Sequence, residues 1–296
     1  MHYKILLLGS TGFIGSKLLE QLLAKNYKIL AVTRSNQVSL NPNIEYVNFD
    51  IIFSPQADKF YFLNEVSHII NCLGEVENES NMIEMNIEVV KKVVKIANQF
   101  KIPNIIQLGS AGIYRKEGKI SVDSLIEPTN FYEWSKYTAD QILESVRNSF
   151  NIQIIRPTSV VGIGMKSVSF EKLIRFYSRL GVLHFKKLAA VNFHYVSVNV
   201  LVDVICKCVE GELKNEVLLV STDLNQLDFS TCFNRKLKTI YIPFSLLKPF
   251  YLCNIGLKKR QFLHLIDESL FESNIEMLND TDFKLATIKK VIFDFS

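Results

Sequence analysis

Residues 3 to 23 constrain the chain most: an apolar run, Tyr3-Lys4-Ile5-Leu6-Leu7-Leu8, leads into Gly9-Ser10-Thr11-Gly12-Phe13-Ile14-Gly15 and then into Ser16-Lys17-Leu18-Leu19-Glu20-Gln21-Leu22-Leu23. A short apolar run bounded by glycine reads as a buried strand, and leucines at helical spacing read as the helix after it. Glycines three residues apart let the backbone turn sharply, approach a ligand closely and pack the helix on the strand. The unpaired N–H groups of the helix start attract a pyrophosphate. Strand, turn and helix together predict a dinucleotide site on a doubly wound parallel α/β sheet.

Lys28-Ile29-Leu30-Ala31-Val32-Thr33 supplies the second strand of this βαβ unit. An acid about 20 residues past the glycines would hold a ribose 2′-hydroxyl, whereas an Arg there accommodates a 2′-phosphate. Thr33-Arg34-Ser35-Asn36 has the Arg and no acid, which favours NADP(H) and leaves NAD(H) as the alternative.

Further strands are read at Ile44 to Phe49, ending at Asp50, and at Ser67 to Asn71, ending in Cys72-Leu73-Gly74. In a doubly wound sheet the ligand crevice lies at such carboxyl ends. Ile83, Ile87, Val90, Val94 and Ala97 carry the spacing of an amphipathic helix with Asn86 in its first turns. Asn104 to Leu108 is a fifth strand, ending in Gly109-Ser110-Ala111-Gly112-Ile113-Tyr114, where small residues would leave the Ser110 hydroxyl open to a ligand or simply form a turn. Thr129-Asn130 then caps a helix over Tyr132 to Leu143. Tyr132 and Lys136 lie four residues apart and share a face. An ammonium beside a phenol favours the phenolate, so such a pair suits proton transfer.

In this order and spacing, the glycine loop, Asp50, Asn86, Ser110 to Tyr114, the Tyr132 and Lys136 pair, and Arg156-Pro157 before Gly162 resemble the extended short-chain dehydrogenase/reductase superfamily, specifically its NAD(P)-dependent epimerase/dehydratase branch. The resemblance covers residues 3 to about 165. It implies that Gly9, Thr11, Gly12, Phe13, Ile14 and Gly15 cradle the pyrophosphate, with Arg34, Asp50, Ile51, Leu73, Gly74 and Asn86 completing the cofactor site. Ser110 would hydrogen-bond the substrate oxygen, Tyr132 would move its proton, and Lys136 would serve both the nicotinamide ribose and the tyrosine. The same resemblance implies hydride transfer on a keto or hydroxyl carbon of a nucleotide-linked sugar, by a 4-keto reductase or an epimerase. Arg34 tilts this toward a reductase, which must exchange its cofactor with a pool. It also implies a homodimer formed through the helices bearing Asn86 and Tyr132.

After a sixth strand, Asn151 to Arg156, a Rossmann-type domain over 1–165 is followed by a small, partly intertwined substrate lobe over 166–296, parts of which return to the sheet. Helices are read at Phe170 to Tyr177 and Val200 to Val209, and a strand at Glu216 to Ser221. Members that bind nucleotide sugars often carry an Asn and an Arg where this chain has Thr158-Ser159 and Phe193; Lys186 and Lys187 are the candidate substitutes. A reductase of a small non-sugar carbonyl compound would suit those departures. A non-catalytic dinucleotide-binding scaffold is the reading from another class, and the Ser110, Tyr132 and Lys136 set argues against it.

Composition sets the outer bounds. With 48% hydrophobic and 22% charged residues, the 296-residue chain is of ordinary globular type. Its net charge of +4 is spread along the chain, which gives no reason to expect a nucleic-acid partner. No apolar run is long enough for a membrane span, and the first strand begins too early for a signal segment, so a cytoplasmic location is expected. The five cysteines lack metal-ligand spacing and read as reduced structural thiols, with no metal site. Residues 241–252 are apolar and Lys258-Lys259-Arg260 basic, a pattern suited to a membrane-surface or partner helix but better to helices capping a substrate.

Overall fold

The computed structural model describes residues 4–34, 37–48, 63, 65–165, 170–172, 174–175, 183–185, 192–233, 240–242 and 269–295. Its central sheet follows from the apolar runs. Strands β1 (Lys4–Leu8), β2 (Lys28–Thr33), β4 (Val66–Asn71) and β5 (Asn104–Leu108) are largely buried on both faces, as parallel strands between helix layers must be, whereas the edge strand β3 (Ile44–Asn48) buries only Ile44 fully. With β7 (Asn151–Pro157) and β12 (Val217–Val220) they form a seven-stranded sheet ordered β12-β7-β5-β4-β1-β2-β3. Pairing is parallel from β3 through β7, with Leu8 opposite both Val32 and Asn71. The strand order reverses between β1 and β4, which is where such sheets open a ligand crevice.

The sheet is covered by α1 (Phe13–Ala24), a helical stretch made of α2 (Glu79–Met82) and α3 (Val89–Phe100), and α4 (Phe131–Glu144). Leu6, Leu8, Ile69 and Ile105 of the strands pack with Val89, Val93, Ile96, Ala139 and Leu143 of the helices in one core. The helix read over Ile83 to Ala97 is not regular. Residues Ile83–Glu88 form a π-helical turn between α2 and α3, because Asn86 turns inward to bond backbone and side-chain groups of other elements. The cap of α4 is as read: Asn130 Oδ1 accepts the Glu133 N–H at 3.0 Å, and the Glu133 carboxylate reaches back to the Thr129 N–H at 2.8 Å.

The chain divides into two compact units, residues 1–114, 125–157 and 198–218 in the first, and 115–124, 158–197 and 219–296 in the second. The helix α5 (Val198–Val209) belongs to the first and buries Cys206 and Cys208 among valines. The second unit is built from small strand pairs, including β6 (Lys119–Ile120) with β15 (Leu270–Phe271), β8 (Ser159–Val161) with β11 (Tyr195–Ser197), β9 (Leu183–Phe185) with β14 (Ile240–Ile242), and β10 (Asn192–Phe193) with β13 (Leu224–Asn225). Helices α6 (Gln226–Thr231) and α7 (Thr281–Phe295) accompany them. Its core is aromatic, with Phe193, Tyr195, Phe170, Phe229 and Phe233 in mutual ring contact. Of the helix read over 170–177, residues 170–172 and 174–175 are described and helical; residues 243–260 of the apolar and basic tract lie outside the described residues. Among the described residues no helix is long and apolar enough to cross a membrane, and Cys72, Cys206, Cys208 and Cys232 are free thiols.

Candidate active site

The glycine loop shows why two of its positions exclude a side chain. Gly9 has a φ of +81° and sits 3.0 Å, measured from where a Cβ would stand, from the carbonyl carbon of Cys72 at the end of β4. A Cβ on Gly15 would lie 2.0 Å from the Gly9 carbonyl oxygen, so any residue but glycine there forces the loop off the helix. Gly12 starts α1 with no side-chain cap, and no acid stands in the first turn, which leaves that turn's N–H groups open to an anion. The Ser10 hydroxyl, buried in the same loop, has no hydrogen-bond partner. An uncapped helix start beside an orphaned buried hydroxyl and a backbone cradle fits a pyrophosphate.

The loop abuts the end of β4, and there the other sequence-read groups converge. A Cβ on Gly74 would lie 3.0 Å from Lys136 Nζ and 3.2 Å from Asn86 Oδ1. Lys136, only 4% exposed, donates to the Leu108 carbonyl at 3.1 Å. That oxygen also accepts from Gln107, whose own side-chain oxygen takes a bond from Asn71 at 2.9 Å, and Asn71 in turn holds the Leu73 N–H. The ends of β4 and β5 are thus fixed to one another and to the lysine. Asn86 is fully committed: its oxygen accepts the Glu75 N–H at 2.9 Å, and its amide donates to the Glu75 carbonyl and to Ser135 Oγ. Ser135 donates on to the Tyr132 carbonyl at 2.8 Å, so the π-helical turn anchors the first turn of α4. Asn86 therefore acts on this site through the backbone it holds.

Ser110 sits beyond β5 with its Oγ accepting the Gly112 N–H at 3.1 Å, which leaves the hydroxyl hydrogen to donate elsewhere. A Cβ on Gly112 would meet both Ser110 Oγ and the Glu133 side chain, so the Ser110 loop is seated against the turn of α4 that carries Tyr132. Tyr132 itself is partly exposed. Thr11 is exposed, Phe13 and Ile14 are half-buried in the first turn of α1, and Arg34 stands exposed just past β2. Asp50, Ile51, Lys186 and Lys187 lie outside the described residues.

Electrostatics at the lysine were not legible from its motif. Burial lowers the Lys136 ammonium to about 8, against the attraction of Asp140. Asp140, one helical turn further on, is pushed up to about 6 by burial, with Arg156 opposing the shift. Burial also drives the Cys72 thiol to about 12, so it is a neutral neighbour. Arg156 Nε bonds Asp140 Oδ2 at 2.9 Å and its Nη1 donates to the Tyr114 hydroxyl at 2.6 Å. The available signal was the four-residue step from Lys136 to Asp140, which repeats the Tyr132 to Lys136 step.

In the second unit, Phe193 fills the aromatic core, its ring 4.7 Å from that of Phe229, and Thr158 is bonded to Ser221 at 3.3 Å.

The family model for the NAD dependent epimerase/dehydratase family matches residues 5–229. A putative UDP-glucose 4-epimerase of Methanocaldococcus jannaschii is 27% identical over 58% of this chain and 63% of its own length. A UDP-glucose 4-epimerase of Vibrio cholerae is 27% identical over 75% of this chain and 71% of its own. The chain thus spans less than two thirds of the first of these relatives. Among solved structures, the UDP-glucuronic acid 4-epimerase of Bacillus cereus, in complex with NAD, superposes with a TM-score of 0.70 at 16% identity over 98% of each chain. The Thermotoga maritima UDP-glucose 4-epimerase, solved with UDP-glucose, gives 0.70 at 17% identity over 99% of this chain and 98% of its own. With the glycine loop, the Lys136 site and the reversed sheet order in place, this chain belongs to the NAD dependent epimerase/dehydratase family, within the extended short-chain dehydrogenase/reductase superfamily.

Proposed function

We propose that this chain is an NAD(P)-dependent enzyme that interconverts a hydroxyl and a keto group on the sugar of a nucleotide sugar, acting as an epimerase. The observation that carries this is the buried Lys136 held between the Leu108 carbonyl and Gly74, on the same helix as Tyr132 and beside the Ser110 loop. When bound, a nicotinamide dinucleotide supplies a hydride acceptor and donor. The chain's own residues do the rest. Gly9, Gly12 and Gly15 and the open start of α1 hold the pyrophosphate, with Ser10 donating its free hydroxyl; Leu73 and Gly74 line the dinucleotide through the backbone. Asp50 is assigned to the adenine, and Ile51 to the cofactor site. Ser110 donates to the reacting oxygen, Tyr132 takes and returns its proton, and the Lys136 ammonium stabilises the phenolate that forms and bonds the ribose hydroxyls.

Two observations bear on the cofactor and pull apart. The Bacillus cereus UDP-glucuronic acid 4-epimerase that this chain resembles was solved with NAD, which favours a retained NAD that an epimerase regenerates in place. Arg34, exposed past β2 with no acid beside it, suits a 2′-phosphate and supports a second reading, a 4-keto reductase fed by NADPH. Phe193 in the aromatic core takes away one expected contact to a diphosphate, which favours small carbonyl substrates over nucleotide-linked ones within that second reading.

The test is to identify any nucleotide that purifies with the protein, then supply UDP-sugars, keto-sugar nucleotides and simple ketones. Sugar inversion with no net cofactor consumption is the expected result. Stoichiometric NADPH consumption with a keto-sugar nucleotide would replace the epimerase reading with the reductase, and consumption with simple ketones alone would remove the nucleotide sugar. A homodimer formed on the α4 face would cover the exposed Ile83 and Trp134, and sedimentation at micromolar concentration reads it directly.

A further inference from the structure

Lys136 shares its buried space with a second cation, Arg156, and with one carboxylate, Asp140. Asp140 lies four residues beyond Lys136 on α4, hence on the same face, and is 1% exposed. One of its oxygens is clamped by Arg156, which the Tyr114 hydroxyl holds from the other side. Its other oxygen, Oδ1, is buried without a hydrogen-bond partner. A carboxylate kept only to pair with arginine would be expected to satisfy both oxygens, since an orphaned buried acceptor costs stability and calls for an explanation.

We propose that Asp140 is a positioning residue of this site: its carboxylate, clamped by Arg156 and open on Oδ1, is the counter-charge that holds Lys136 as an ammonium against Gly74. The inference deepens the proposed function, which needs that ammonium to bind ribose and to steady the Tyr132 phenolate. The groups facing Asp140 are few. From its own helix come Lys136 and Glu144, the latter tied to Arg147, and from β7 comes Arg156, whose other side donates to the Tyr114 hydroxyl. Cys72, at the end of β4, faces Lys136 as a neutral thiol. Asp140 is therefore the only anion among the described residues placed to offset burial at Lys136 from within that cluster. Arg156 has a double role: it keeps Asp140 ionised, and its own positive charge is cancelled by that carboxylate instead of being felt by the lysine.

The test reads the lysine directly in the full chain without cofactor or substrate, by NMR titration of lysines labelled at Cε, with Lys136 assigned through Lys136→Met. The wild-type signal should titrate near 8 and show a second, smaller inflection near 6 as Asp140 ionises. Asp140→Asn should lower the Lys136 titration by about one to two pH units, the scale of one charge a helical turn away, and Asp140→Glu should restore it. The double variant Asp140→Leu, Arg156→Met removes the pair without stranding a charge and should lower the titration less, since a cation leaves with the anion. A Lys136 signal that does not move in a folded Asp140→Asn protein overturns the proposal. So does a folded Asp140→Glu protein whose Lys136 signal stays as low as in Asp140→Asn. Dinucleotide affinity should lose its alkaline limb at correspondingly lower pH in Asp140→Asn. A protein that turns over no nucleotide sugar yet shows these titrations would refute the substrate reading and leave Asp140 in its role.

Discussion

Two buried aspartates, one in each unit, sit in opposite conditions. Asp223 in the second unit has every oxygen occupied: Ser221 donates to Oδ1, while His194 Nδ1 at 2.6 Å and the Phe271 N–H at 2.9 Å meet Oδ2. These contacts tie the segment between β10 and β11 to β13 and β15, so Asp223 is a clasp. Asp140 in the first unit meets Arg156 alone and leaves Oδ1 empty beside a buried lysine. A satisfied buried carboxylate stabilises the strands it joins. An unsatisfied one lends its field to a neighbour, and the neighbour here is Lys136, the lysine assigned to proton transfer in the proposed function.

The largest effect belongs to the proposed proton transfer. Tyr132→Phe should lower turnover by about a hundredfold to ten-thousandfold while dinucleotide affinity measured by fluorescence stays as in the wild type; a fully active variant would remove Tyr132, and with it the purpose assigned to the lysine. Next in size, Asp223→Ala should cost about 3–5 kcal/mol in urea unfolding, because it strands a buried cluster, and should leave the Lys136 titration unmoved. Asp140→Asn keeps an acceptor for Arg156 but strands its buried charge, so it should cost a similar amount, and it alone should lower the Lys136 titration. A Lys136 shift of equal size in both variants would erase the distinction between clasp and counter-charge.

A finer separation comes from acid. Burial lowers His68 from 6.5 to about 4, so between those values the unfolded chain binds the extra proton and stability rises with pH. Asp140 works in the opposite sense. Held near 6 instead of 3.8, it keeps a proton in the folded state that the unfolded chain has lost, so its contribution falls as pH rises through that window. Removing Asp140 should leave the rise from His68 uncompensated, and the melting temperature of Asp140→Asn should climb more steeply between pH 4 and 6 than that of the wild type. A slope no steeper than wild type would mean that Asp140 is ionised throughout. The smallest effect is at the rim: Arg34→Ala should weaken NADPH by about 1 kcal/mol, the scale of an exposed ion pair, and leave NADH unchanged. Equal loss of both would remove the case for a 2′-phosphate contact.

Much of the first unit was readable because its signals are local. An apolar run, three glycines and a helical leucine spacing fix β1, the turn and α1 within twenty residues, and β2 and β5 fall where Lys28 to Thr33 and Asn104 to Leu108 predict them. The Asn130 cap was read correctly for the same reason, since a cap is a bond across three residues. The π-helical turn at Ile83–Glu88 escaped because its cause is remote: Asn86 bonds Glu75 and Ser135, 11 and 49 residues away. The second unit was hardest, because its strands are two or three residues long and draw their partners from distant sequence, as Lys119 does from Leu270.

The residue types that carry the proposed chemistry, their order, and the sheet that presents them were set by the sequence, through backbone propensity and side-chain periodicity that act over a few residues. Which of those residues is charged, and how firmly it is held, was decided by the tertiary structure. Burial and Coulomb interaction depend on what β4, β5 and β7 bring within a few ångströms of α4, and that is how Asp140, an unremarked residue in an amphipathic helix, becomes the partner of Lys136.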